Sequence, residues 1–239
     1  MIKLTLALHI ALTEIEIKLF SDFYHITYYT SLIIGALIGL LYITKVNAPF
    51  KYLCFLIIIT LFSELLAKYF VFGLKINSNI IYHFFVIVEY GFYCIIFHYL
   101  FESKKVTKFL LLSFLLLTVG EIGNTIFFQS INVSNTTILI LEAILLVVWS
   151  LFLFRKIRDE DVIYNIFLQP TFWFSSAVLI YYSCNTLIWG FHSLKIYKLV
   201  RPPIIIYDIN LILSGILYLF FSFSIVLNSL NLKKAHNEY

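Results

Sequence analysis

The chain alternates between long apolar runs and short polar breaks, and the runs set the architecture. A helix needs about 20 mostly apolar residues to cross roughly 30 Å of hydrocarbon. Seven stretches reach that length: 26–44, 50–72, 80–101, 109–128, 136–154, 171–191 and 204–228. "KVNAPFK" separates the first two, with Pro49 near a helix start, and "GLKINSN", "ESKKVTK" and "QSINVSN" divide the next runs. "RKIRDEDVIYNIFLQP" is the longest connection and holds the only dense charge cluster. Pro202 and Pro203 open the last run, where proline suits a first helical turn. The pattern predicts an all-α integral membrane protein. It is a seven-transmembrane-helix bundle over 26–228, with an N-terminal interfacial segment 1–25 and a short tail 229–239.

The opening stretch, "MIKLTLALHIALTEIEIKLF", has one early Lys and a short apolar run, faintly like a signal peptide. His9 interrupts it and no small-x-small cleavage site follows, so it is expected to be retained along the membrane interface. A helix there would pair Glu14 with Lys18, although "TEIEIK" alternates like a strand.

Composition agrees with the pattern. The 239 residues are 62% hydrophobic and 13% charged, about half the charge of a soluble domain, with mean hydropathy +0.95. The net charge of +4 is spread over loops, with no basic run dense enough for a nucleic-acid groove. Cys54, Cys94 and Cys184 fall inside apolar runs at no metal or redox spacing and read as small core residues. Asn132 and Asn135 head N-x-S/T sequons, which matter only in a secreted eukaryotic setting that nothing here supports.

Lys and Arg in the loops predict direction. The 1–2, 3–4 and 5–6 loops and the tail hold ten of the 17 cations, the opposite side holds six, and Lys68 lies within a span. That asymmetry places the N-terminus outside and the C-terminus in the cytoplasm. The connections are too short for a kinase, nucleotide-binding or DNA-binding domain, so a signal would pass to a separate cytoplasmic partner chain. No internal repeat of the transporter kind is visible.

Intramembrane ionisable groups are the natural functional candidates. Five acids lie inside spans: Glu64, Glu89, Glu121, Glu142 and Asp208. With this orientation Glu64, Glu121, Glu142 and Asp208 fall in the outer half and Glu89 near the midplane. Each central charge costs about 2.5–3.5 kcal/mol on insertion scales. Five acids against Lys68 cannot all be ion-paired, so they are either protonated or line a polar cavity open to the outside. Tyr182, Asn185 and Trp189 share one face of span 6, Asn124 lies one turn after Glu121, and His83 opens span 3. Asp208 and Asn210 point roughly 200° apart. The cavity set is therefore Glu64, Lys68, His83, Glu89, Glu121, Glu142, Tyr182, Asn185 and Asp208. The plainer reading is that polar side chains bind helices together, each hydrogen bond contributing about 0.6 kcal/mol. Asn124, Asn185 and Asn210 suit that reading. Tyr181, Trp173 and most Phe read as core or interfacial belt, and His98 as an interface residue. Glu102 and the Asp159–Asp161 acids read as solvated loop ends, the latter able to dock a partner.

Three functions fit. The first is a sensor-like module that binds a small ligand, ion or proton in the outer cavity. The second is an ion- or proton-coupled transporter. Few Gly or Pro lie inside the spans, although Gly120 and Gly123 flank Glu121, and Gly35 and Gly39 form a G-x-x-x-G packing face. The third is an intramembrane metal-dependent lipid hydrolase, for which His83, Glu89 and Asp208 would be the ligand set. A retinal protein is disfavoured because the last span has no Lys for a Schiff base. No motif names a cofactor, and the oligomeric state stays open.

The stretch "LEAILLVVWSLFLFRKIRDEDVIYNIFLQPTFWFSSAVLIYYSCNTLIW" resembles a group of uncharacterised small bacterial seven-transmembrane-helix proteins. "SELLAKYF" and "NIIYHFFVIVE" are similar to that group's spans 2 and 3. By that resemblance Glu64, Asn79, Tyr82, His83, Glu89, Glu142, Pro170, Trp173, Tyr182 and Asn185 match the pattern. It implies a bacterial inner-membrane location and a sensory role beside histidine kinases.

Overall fold

A computed structural model describes residues 2–159, 165–196 and 205–237, with side chains over 22–159, 165–194 and 206–235. Every regular element among them is helical. The helices are α1 (Ile2–Tyr42), α2 (Ala48–Lys68), α3 (Asn79–Phe101), α4 (Lys104–Phe127), α5 (Thr136–Asp159), α6 (Pro170–Ile196) and α7 (Ile205–Asn237). A wider π-helical turn, Tyr69–Gly73, extends α2, and a short 3-10 turn, Ile166–Leu168, precedes α6.

Six helices, all but α6, contain a segment long and apolar enough to cross a membrane. α6 is long as well, but Tyr181, Tyr182, Asn185 and several Ser lower its hydropathy. The outer surface is apolar: Leu37, Leu40 and Leu41 of α1 and Leu111, Leu112, Leu115 and Leu116 of α4 are exposed. Such a surface is suited to lipid and unsuited to water. The fold is a multi-pass α-helical membrane bundle.

Several helices run past the apolar stretches. α4 begins at Lys104 and not near residue 109, so Lys104, Lys105 and Lys108 lie on its first turns. Lys is a good helix former and can extend its amine toward the interface. α5 carries the basic run through Asp159, and α7 continues through the tail to Asn237. α1 is continuous across 2–25, with no break before the first span. The pairing of Glu14 with Lys18, His9, and the residues Glu160, Asp161, Lys195, Lys198, Arg201, Pro202 and Pro203 lie outside the described side chains.

The helices pack in sequence, α1 on α2, α2 on α3, α5 on α6 and α6 on α7, and α7 closes on α1. α3 also packs on α5, while α4 rests on α3 and α5. The core is aromatic: Tyr90, Tyr93, Phe97, Phe174 and Phe221 are almost wholly buried, and Phe174 stacks on Phe221 at 5.6 Å. Gly35 and Gly39 let α1 approach closely. A Cβ on Gly35 would stand 3.2 Å from Ser222 Oγ of α7, and one on Gly39 would stand 3.5 Å from Cys54 of α2. The α1–α2 turn is anchored where the Asn47 N–H donates to Asn228 Oδ1 of α7 at 3.1 Å. Glu102, left-handed at φ 54°, ends α3 with its N–H on the His98 carbonyl, so only Glu102 and Ser103 join α3 to α4.

Candidate functional site

The helical repeat of α2 turns Glu64 partly inward, beside buried Ser63 and Ala67. The Tyr29 hydroxyl donates to Glu64 Oε2 at 3.1 Å. Lys68, one turn on, is exposed, and its Nζ sits 3.5 Å from the centre of the Tyr29 ring. Lys68 thus makes a cation–π contact with the phenol, and its charge also acts on the Glu64 carboxylate.

Glu89 of α3 accepts from the Tyr182 hydroxyl at 2.9 Å, and that hydroxyl is 3.2 Å from the Tyr93 hydroxyl. Tyr182 and Asn185 share the buried face of α6, as their i, i+3 spacing requires. Tyr28, Tyr181 and Tyr218 complete a phenolic lining around Glu64 and Glu89. Ser214 of α7 donates to the Asn210 carbonyl and lies 3.3 Å from the Tyr181 hydroxyl.

Glu121 and His83 form the third part, linking α4 to α3. Both side chains are 4% exposed, and His83 Nδ1 meets Glu121 Oε1. Thr125 Oγ1 donates to the same oxygen at 3.3 Å, and Asn135 Nδ2 donates to Oε2 at 3.4 Å. The other imidazole nitrogen, Nε2, is 2.9 Å from the Val133 carbonyl. A carbonyl has no proton to give, so Nε2 must carry one and donate. A further proton must then lie between Nδ1 and Oε1. The pair is either imidazolium with carboxylate or imidazole with carboxylic acid, and both forms hold the same total number of protons.

Glu142 of α5 differs from the rest. It is 1% exposed, and its Oε1 has no hydrogen-bond partner among the described residues. The charged groups that act on it are Glu89 and Glu121, both acidic. Glu64 in turn acts on Glu89. The order Glu64, Glu89, Glu142, Glu121 thus runs through α2, α3, α5 and α4, and ends at His83. The Oδ1 atoms of Asn135, Asn185 and Asn210 are likewise buried with no partner among the described residues.

Asp208 lies on α7, which carries none of these four acids. It is partly exposed in the first turn of α7, with no hydrogen bond or ion pair among the described residues. An acid there is favoured by the helix N-terminus. His83, Glu89 and Asp208 do not come together as a ligand set, and no group of three His, Cys, Asp or Glu among the described residues is placed to hold a metal ion. Asn124 donates to Gln129 Oε1 at 3.1 Å and Gln129 donates to Thr136, which fastens the α4–α5 turn.

Sequence reasoning did not single out Tyr28, Tyr29, Tyr93 or Tyr218, and read Tyr181 as core or belt. One signal was present: Tyr93 follows Glu89 by four residues, on the same helix face. Thr125, four residues after Glu121, was a second. Compared with protein-family models, curated proteins and solved structures, the chain matches none.

Proposed function

We propose that the chain is a sensor-like module of a bacterial inner membrane, with seven spans, the N-terminus outside and the C-terminus in the cytoplasm. Its carboxylate series takes up protons or a small cation from the outer side, and the inner-side connections pass the change to a separate signalling chain. The distribution of cations, ten against six, supports the orientation. The packing of α6 between α5 and α7 supports its reading as a span.

Glu142 carries the proposal. A bare carboxylate at that position would face Glu89 and Glu121 with no donor on Oε1. Burying such a charge is far costlier than burying a neutral acid, so a proton or cation has to balance it. Glu64, Glu89 and Glu121 each have hydroxyl, amide or imidazole partners that also tie helices together, and Glu142 Oε1 has none.

Infrared difference spectroscopy of the full chain in nanodiscs, stepped between acid and neutral buffer, tests the reading. A protonated-carboxyl band that changes with the step and is lost in Glu142→Gln is expected. A spectrum unaffected by Glu142→Gln would sink the proposal. Four acids on four neighbouring helices also suit an ion-coupled transporter, and acid-driven uptake into proteoliposomes would favour that function over sensing. The hydrolase reading has no ligand group to support it among the described residues.

A further inference from the structure

Near the Glu102–Ser103 turn, α4 and α5 line a groove of about 810 Å³. Small-molecule sites span roughly 300–1,000 Å³. Phe109, Leu112 and Leu116 form the α4 wall, Trp149 and Phe152 the α5 wall, and Phe101 of α3 contributes from a third side. Buried Ser113 is already engaged, lying 2.9 Å from the Tyr90 hydroxyl and donating to the Leu110 carbonyl. The body of the groove is therefore apolar and faces the depth of the acyl chains.

One end is charged. Among the described residues, Lys105, Arg155, Lys156 and Asp159 line it. Arg158 holds Asp159 Oδ1 through two nitrogens at 3.1 and 3.0 Å, whereas Arg155 Nε stands 3.7 Å from Oδ2 between exposed side chains. Asp159 thus offsets Arg158 first and leaves the Arg155 fork available. Lys156 donates to the Leu100 carbonyl at 2.7 Å. Arginine's planar fork matches phosphate oxygens two at a time, and Lys adds a point charge.

We propose that this groove is a binding site for an anionic phospholipid. One acyl chain lies between Leu112, Leu116, Trp149 and Phe152, and the headgroup phosphate meets Arg155 and Lys105. Charge complementarity selects this occupant. A second copy docked face to face through the same groove would set Lys105 and Arg155 against their own counterparts. A basic pocket between helices at the interface suits an anionic headgroup. The site is separate from the carboxylate series, so neither proposal depends on the other.

Native mass spectrometry of the full chain, loaded with phosphatidylglycerol or phosphatidylcholine of matched acyl chains, tests it. Preferential retention of phosphatidylglycerol is expected. At roughly fivefold per basic side chain near an anionic surface, the double variant Lys105→Gln, Arg155→Gln should lose about 30-fold for that lipid and nothing for phosphatidylcholine. Leu112→Trp, which fills the groove, should lower both. Quenching by brominated phosphatidylglycerol, read as wild type minus Trp149→Phe, places the acyl chain without relying on the stability of any charge variant. Equal retention of the two lipids would overturn the proposal. So would an equal loss from the remote Lys51→Gln, displacement by inorganic phosphate alone, or a dimer showing no lipid preference.

Discussion

His83 faces Glu121 with one imidazole nitrogen and the Val133 carbonyl with the other, so the pair binds a proton in either of its two forms. This joins the start of α3, the end of α4 and the α4–α5 connection in one buried contact. Glu142 stands next in the series with nothing comparable on its Oε1. The contrast separates residues that hold the bundle together from the one best placed to respond.

Breaking the His83–Glu121 pair should cost the stability typical of a buried pair, about 3–5 kcal/mol. His83→Gln and Glu121→Gln should each lower the unfolding free energy in bicelles, and the double variant should lose less than the two losses added together. Additive losses would show that the two side chains act independently.

Glu142→Gln should behave in the opposite way. The neutral amide removes an unpaired carboxylate beside two acids, so thermal stability should hold or rise while the response of the infrared spectrum to acid disappears. A large drop in melting temperature would identify Glu142 as a structural group.

Tyr182→Phe removes the hydroxyl donor from Glu89 and should cost about 1–3 kcal/mol. Tyr29→Phe removes the donor from Glu64 but keeps the ring beneath Lys68, in a more exposed place, and should cost about 1 kcal/mol or less. Chemical denaturation of the two variants side by side checks the order.

Gly35→Val should destabilise by about 1–3 kcal/mol, because its side chain would press on Ser222 and Ile57. Gly123→Ala meets nothing within 4 Å and should gain about 0.5–1 kcal/mol from helix propensity. A melting-temperature comparison distinguishes a packing glycine from a spare one.

The orientation yields a labelling result. With an impermeant maleimide, Lys104→Cys should react only in inverted vesicles and Ser130→Cys only in right-side-out ones, using unlabelled wild type as the baseline for Cys54, Cys94 and Cys184. The reverse pattern would invert the assigned topology.

The helices were legible because apolar runs of about 20 residues leave little alternative. Their ends were not, since Lys104, Lys105 and Arg155 continue helices that hydropathy stops short of. The acids stood out because charge is rare inside such runs. Their partners did not: the phenols of Tyr29 and Tyr182 reach Glu64 and Glu89 across 35 and 93 residues of chain, and only packing reveals such pairs.

The two-residue turn at Glu102–Ser103 has a mechanical consequence. α4 is pivoted there at one end and fastened at the other by His83 on Glu121 and Gln129 on Thr136. Its 24 residues make a rod about 36 Å long. At that length, a rotation of about 5° about the turn would carry the far end by roughly 3 Å. The near end of α4 thus stands beside the basic groove, and its far end carries Glu121.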